Sequence, residues 1–349
     1  MAFLAGWSKR QKLTIDHTQV DDELTDFPVK VIVSSDNPLF DTAKSDGSDV
    51  RFTSADGTTL LDFEREVHDD TNSIAVYHVK IPLVSSTSDT EIYLYYGNAS
   101  ATDASSPTSV WDSDYKLVLH MDGSLKDSTS NGNDGTNYGS TLGLASDGYY
   151  RSFDGVNDYI RYPLLGIFDG SSDFCVEFQY IHNEAAVDRH MFINAFGERS
   201  VQIQAGENRS LNVMHARVKM GGTWNDLVVD LAHNYDQVYY SSVVYDSVNG
   251  WKMFQNDVLT DTNATTGNID IYGNSYNDIG AYYSSSTSQW LAFLDGVISE
   301  VRISSTARSD AWIKATSASL RDELLTFGDE ESVLVPVQGV QQGVQIIFI

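Results

Sequence analysis

Among the Asp-Gly pairs of this chain, three adjoin apolar strand-like runs: His120-Met121-Asp122-Gly123, Phe153-Asp154-Gly155-Val156-Asn157-Asp158 and Leu294-Asp295-Gly296. Asp-Gly favours a tight, oxygen-rich turn, and the apolar alternation beside it, as in Val297-Ile298-Ser299-Glu300-Val301, puts each turn at a strand edge. Glycoside hydrolysis would need more, two carboxylates about 5 to 9 Å apart across the scissile bond. Asp295 and Glu300 are offset by five, which places them on opposite faces of a regular strand unless a bulge intervenes. Gly-x-Ser-x-Gly elbows, phosphate-binding glycine loops and helices with paired metal ligands are absent from the sequence. The histidines are scattered and Cys175 is the sole cysteine, so neither a zinc set nor an intrachain disulfide is indicated. Stacking is the other available chemistry. Trp224, Tyr272, Tyr276, Tyr282, Tyr283 and Trp290 fall in the later loops, and aromatic faces can pack on sugar rings, although each taken singly reads first as core or strand face.

The elements that must position these residues are strands. Of 349 residues, 41% are hydrophobic and 11% aromatic, a globular balance with room for two cores. Runs at 10–15, 27–33, 49–52, 74–81 and 91–96 alternate or carry β-branched residues between Ser, Asp, Gly and Pro clusters, which predicts a β-sandwich. Residues 99–108 read as a linker. Beyond it, strands are expected at 115–121, 158–162, 174–181, 190–196, 200–205, 211–220, 224–232, 236–246, 250–259, 278–283 and 290–303, enough for two packed antiparallel sheets. Alternation from Phe174 to Tyr180 puts Cys175 on the opposite face from Phe174, Val176, Phe178 and Tyr180, as a half-buried structural thiol. One helix is predicted from Ser309 to Leu325, capped by Ser309 and stopped by Gly328.

The stretch Ser152 to Ile160, read with Phe293 to Ile303, resembles the two signature strands of laminin-G/concanavalin-like jelly rolls. His120-Met121-Asp122-Gly123 with the loop Asp127 to Thr136 is similar to the start of that fold, and a short helix follows its Glu-Val-Arg-Ile strand. Trp7, Leu13-Thr14-Ile15, Thr25 to Val29, Lys44 to Phe52 and Ile92 to Asn98 resemble a small β module of undefined function that precedes such domains in prokaryotic and viral surface proteins. The resemblance implies an all-β chain: an N-terminal β-sandwich (1–111), a concanavalin-like two-sheet jelly roll (112–328) with one short C-terminal helix, and an extended apolar tail (329–349). Such folds often hold a calcium ion at a sheet rim, where a hard cation needs six to eight oxygens. The resemblance nominates Asp122, Asp154, Asn157, Asp158 and Asp295 as its ligands; the same side chains could instead only hold turns. Hydrolases of this fold carry Glu-x-Asp-x-x-Glu, which is missing here, so the chain is expected not to be an enzyme.

After Asp329-Glu330-Glu331 the sequence is charge-free and ends in Ile346-Ile347-Phe348-Ile349. Val333, Val335, Val337, Val340, Val344, Ile346, Ile347, Phe348 and Ile349 are expected to dock on a partner by strand addition. The alternative is one more strand on the chain's own sandwich. The 49 acidic against 22 basic residues give a charge of −27, which disfavours nucleic acid and anionic membrane. No run is long enough to span a bilayer, and Met1 to Arg10 lacks the pattern of a secretory signal, so export is expected by another route such as virion assembly and lysis. The sequons at Asn98, Asn208 and Asn263 read as chance without such a signal. These features together with the resemblance lead to a phage virion surface protein, a capsid decoration or fibre-type subunit. Its expected partners are other virion proteins, further copies of itself and host or matrix glycans. The alternatives are a secreted bacterial adhesin or carbohydrate-binding module and, less so, a glycan-degrading enzyme.

Overall fold

The structure, a computed structural model, describes residues 2–163, 165, 172–183, 190–195, 201–205, 214–229, 237–270, 277–284 and 289–333. The first module contains β1 (Lys9–Ile15), β2 (Leu24–Val33), β3 (Arg51–Ser54), β4 (Leu60–Leu61), β5 (Phe63–Asp69), β6 (Ile74–Val84) and β7 (Thr90–Tyr96). The second begins with β8 (Tyr115–Leu119), β9 (Thr136–Tyr138), β10 (Thr141–Ala145), β11 (Gly148–Asp154), β12 (Tyr159–Tyr162) and β13 (Phe174–His182). It continues through β14 (His190–Ala195), β15 (Val201–Ala205), β16 (Met214–Met220), β17 (Thr223–Val229), β18 (Val238–Asp246), β19 (Gly250–Gln255) and β20 (Val258–Asn263). Next come β21 (Asn277–Ile279), β22 (Tyr282–Ser284), β23 (Gln289–Leu291), β24 (Asp295–Ser304) and, past a helix at Asp310–Leu320, β25 (Leu325–Ser332).

Both modules are sandwiches, as the period-2 pattern predicts. In the first, the sheet β25-β1-β7-β3-β4 faces β2-β6-β5 across a core that includes Leu13, Phe27, Phe52, Phe63, Tyr77 and Leu94. In the second, β10-β11-β24-β13-β18-β19-β20, with β8 also pairing on β24, faces β17-β16-β15-β14-β21-β12-β9. Phe174, Val176, Phe178 and Tyr180 point into the space between these sheets, while Cys175 faces the other way. The thiol is fully buried rather than half-buried, because the Asp310–Leu320 helix lays Ile313 and Leu320 over it.

The end of the chain departs from the sequence reading. The helix has its Ser309 cap, with Oγ accepting from Trp312 N at 3.2 Å, but it stops at Leu320. Asp322 turns it with φ 59°, and Leu325–Ser332 is extended. Gly328 therefore lies in a strand and does not end the helix. Asp329 to Ser332, assigned to the tail, also belong to β25, which pairs antiparallel with β1 from Ile15↔Leu325 to Lys9↔Ser332. The gain is physical: β1 would otherwise be an open edge, and Lys9 and Arg10 meet Glu330 and Glu331 across the pair. Of the predicted docking residues only Val333 is described, and it is exposed. Val335, Val337, Val340, Val344, Ile346, Ile347, Phe348 and Ile349 lie outside the described residues.

The 99–108 stretch is strapped down rather than free: Arg65 forks onto Asp103, Arg51 donates to Thr102 O, and Ser106 N bonds Phe63 O. No helix of the described residues is long and apolar enough to cross a membrane.

Candidate functional site

Strand β12 explains the site. Ile160 and Tyr162 are buried in the core, so alternation turns Tyr159 and Arg161 to the outer face of their sheet. On the edge strand β9, Tyr138 pairs directly with Tyr159. The β22–β23 hairpin then pairs Tyr283 with Trp290 and brings Trp290 against the same ring. Tyr159 lies parallel to Tyr138 at 4.5 Å and 8°, and to Trp290 at 4.3 Å and 17°. Two parallel rings at that distance cannot share one face, so Tyr159 is sandwiched. Tyr283 leans on Trp290 at 5.1 Å and 56°. Arg161 flanks the stack, its Cζ 5.5, 5.6 and 4.8 Å from the centroids of Tyr138, Tyr159 and Trp290.

The stack consumes most of its own faces. Tyr138 terminates it on the edge strand and is 41% exposed, which leaves an aromatic face for a ligand. Gly139, at φ +97°, makes the turn after it; a Cβ there would come within 2.0 Å of Asp158 Oδ1. Beneath the stack, Arg161 Nε donates to Asp278 Oδ1 at 3.3 Å. Asp278 is fully buried, and burial pushes its carboxyl up to about 7 despite the guanidinium. Across the sheet, Arg161, Asp278, Asn194, Gln202, Arg217 and Asp226 are paired in register.

Of the six aromatic residues chosen from sequence, Tyr283 and Trp290 come together. Trp224 stands apart on β17, the opposite edge strand, under Arg217 at 4.7 Å. Tyr282 is placed in β22, and Tyr272 and Tyr276 lie outside the described residues. Tyr138, Tyr159 and Arg161 were missed. Their signal was the outward phase of the short Tyr159-Ile160-Arg161-Tyr162 strand.

The carboxylates nominated for calcium serve their own turns. Asp122 Oδ1 accepts from the amides of Ser124 and Leu125, Asp154 Oδ1 from Val156 and Asn157, and Asp158 Oδ2 from Asp154 N. Asp295 pairs with Asp154 in the ladder and takes Asn183 Nδ2 at 3.0 Å. Among the described residues, these carboxylates do not bring three oxygens within 4.8 Å of one another. As placed, these carboxylates hold turns. Asn157 contributes its amide N–H to the Asp154 turn.

The carboxylate pair on β24 is not set for hydrolysis. A bulge does occur opposite Gln179/Tyr180, yet Glu300 is buried against His120 and Arg302, 2.8 and 2.7 Å away.

Residues 46–133 match the family model described as a domain of unknown function (DUF2341), and 153–314 match that of the concanavalin A-like lectin/glucanases superfamily, of laminin-G type. The chain thus carries the small module followed by the jelly roll, in the order the sequence resemblance implied. Similar solved structures include domain 4 of AbnA, a GH43 extracellular arabinanase from Geobacillus stearothermophilus, in complex with arabinotriose. It has a TM-score of 0.49 and 16% identity over 58% of this chain and 98% of that one. The binding domain of Paraclostridial Mosquitocidal Protein 1 has a TM-score of 0.48 and 13% identity over 59% and 52%. The binding domain of Botulinum Neurotoxin DC in complex with SialylT has 0.47 and 11% over 60% and 52%. This chain spans about half the length of those two toxin binding domains. No curated protein matches the sequence.

Proposed function

We propose that the protein is a non-enzymatic glycan-binding surface protein whose ligand stacks on the open face of Tyr138. The carrying observation is the Tyr138–Tyr159–Trp290 stack, which holds a half-exposed aromatic face rigidly at the rim of a concanavalin-like sheet with a cation beside it. Sugar C–H groups pack on such a face without induced order in the protein, because the ring is already fixed by its neighbours. The turn-holding carboxylates and the buried Glu300 favour binding over cleavage.

The test is a screen of the whole protein against immobilised oligosaccharides, followed by titration of the best ligand into Tyr138→Ala. We expect affinity to fall by about tenfold or more, the worth of one stacking contact of roughly 1–2 kcal/mol. Absence of glycan binding, or equal binding by the variant, would remove the reading. The narrower assignment, a virion surface subunit docked through the chain end, rests on the acidic charge and the apolar tail of the sequence. It stands or falls on whether mass spectrometry of purified particles finds this chain.

A further inference from the structure

Where the modules meet, six ionisable side chains are buried together. Glu64 and Glu66 come from β5, His78 from β6, His120 from the residue after β8, and Glu300 and Arg302 from β24. Positions 300 and 302 are two apart and share a face of β24, while Glu66 is the extra residue where the β5 ladder shifts register between Arg65 and Val67, and its carboxylate comes to the same cluster as Glu64 through His78. His120 Nδ1 lies 2.8 Å from Glu300 Oε2, and its Nε2 lies 3.2 Å from Glu64 Oε2. An imidazole with a carboxylate beside each nitrogen is favoured as the cation, Nδ1 through a hydrogen bond to Glu300 and Nε2 through the charge of Glu64 alone. Glu64 also accepts from Trp111 Nε1 at 2.8 Å and Ser128 Oγ at 2.6 Å, and Arg302 Nε donates to Glu300 at 2.7 Å.

His78 stacks on His120 with centroids 4.3 Å and planes 18° apart, and its Nε2 is 3.0 Å from Glu66 Oε2. Two cationic rings in that contact would repel strongly in a buried setting, so one is charged and the other neutral. Rings so nearly parallel cannot both aim an in-plane lone pair at one ion about 2 Å away, so the group is not a metal site. The charges then balance: His120 and Arg302 against Glu64 and Glu300, with Glu66 protonated. Lys30 on β2 faces Glu66, and Glu177 and Tyr115 face Arg302 from the other side, themselves neighboured by Arg308. A cleft of about 320 Å³, with Arg65, Asp122, Lys126 and Asp127 on its walls, leads from solvent to Glu64, Glu66 and His120.

We propose that this cluster is a proton-operated latch between the two modules, closed while His120 is an imidazolium and loosened in alkaline solution, when Glu64 and Glu300 lose their shared cation inside the seam. Burial works against the charge on His120, but Glu300 and Glu64 hold it well above the usual imidazole range. Its contribution is therefore complete below about 6.5 and is lost as pH rises through the folded value. Burial keeps Glu66 protonated above its ordinary range, so it adds loss in the same direction from 4.5 upward. Burial and the His120 charge hold His78 well below 6.5, so it opposes acid; between 4.5 and 6.5 its slope offsets that of Glu66. Despite burial, His120 and Arg302 hold Glu300 low, as His120 does Glu64, so both contributions are lost as pH falls below 4.5. The seam is tightest between about pH 4.5 and 6.5.

The experiment uses the whole protein from pH 5 to 9, with nitrogen NMR of the histidine rings, hydrogen exchange of the Trp111 indole and thermal melting. We expect His120 doubly protonated and His78 neutral in the folded protein at pH 8. Trp111 exchange should quicken and the midpoint fall as pH rises above 6.5. His120→Gln should melt lower at pH 6 with a flatter alkaline profile. If it does not fold, Glu300→Gln should end the alkaline fall at lower pH and make the total drop smaller. A neutral His120 at pH 8, an equally steep fall in His120→Gln, or one bound zinc shifting both rings would overturn the proposal.

Discussion

At the scale of single residues, the open face of the jelly roll depends on a carboxyl kept out of water. Asp278 sits under Arg161 with its second oxygen unpartnered among the described residues, and burial raises it to about 7. A raised acid stabilises the fold fully below its unfolded value of 3.8, and this contribution fades as pH rises through 7. The linked difference is on the order of 4 kcal/mol. Asp278→Asn should accordingly remove one proton's worth of slope from the curve of stability against pH between about 4 and 7, measured by urea denaturation at each pH. Parallel curves for variant and parent would show that Asp278 ionises normally. This residue was illegible in the sequence, where Asn277-Asp278-Ile279 looks like any short strand; only its placement opposite Arg161 gives it meaning. Trp290 and Tyr283 were legible as exposed-loop aromatics. Tyr138 was not, because its partner is set by a ladder to residue 159 and a stack that ends at 290.

At the scale of elements, strands were readable wherever one face is apolar, as in Phe174 to Tyr180, since burial enforces the period. The C-terminal helix was readable at its Ser309 cap and not at its end. Leu320, Leu324 and Leu325 continue a helical spacing, but Leu324 and Leu325 fill the first module's core and β25 must run alongside β1. A long-range partner thus decided a local structure that propensity leaves open. The helix is shared between the modules: Trp312, Ala315 and Ala318 enter the first core, with Trp312 edge-to-face on Phe27 at 4.8 Å, while Ile313 and Leu320 cover the jelly roll. Trp312→Ala should cost about 3–5 kcal/mol in urea denaturation, the usual loss for a buried aromatic. A loss under about 1 kcal/mol would place the helix outside the core it completes.

At the scale of the whole molecule, the first sandwich draws both a strand and part of its core from residues beyond 112. The core beneath β1 and β2 contains Tyr115 and Val118 from the start of the second module and Ala311, Trp312, Leu324 and Leu325 from the end of the chain. The seam is further tied by Lys30 N donating to Ser319 Oγ at 2.8 Å, while the Arg308 fork onto Asp112, 2.9 Å at each oxygen, fixes the start of the second module to the approach of the helix. A module that borrows a strand, a helix face and part of its core from residues more than two hundred positions away has no complete folded state of its own. Opening the jelly roll withdraws those pieces, so the two should melt together. Calorimetry at pH 6 should therefore show one transition whose van't Hoff and calorimetric enthalpies agree, and residues 1–111 expressed alone should lack a cooperative melt. Two resolved transitions, or a folded 1–111 fragment, would mean that β25 and the helix decorate a finished sandwich and that the sheet carrying Tyr138 is mechanically independent of it.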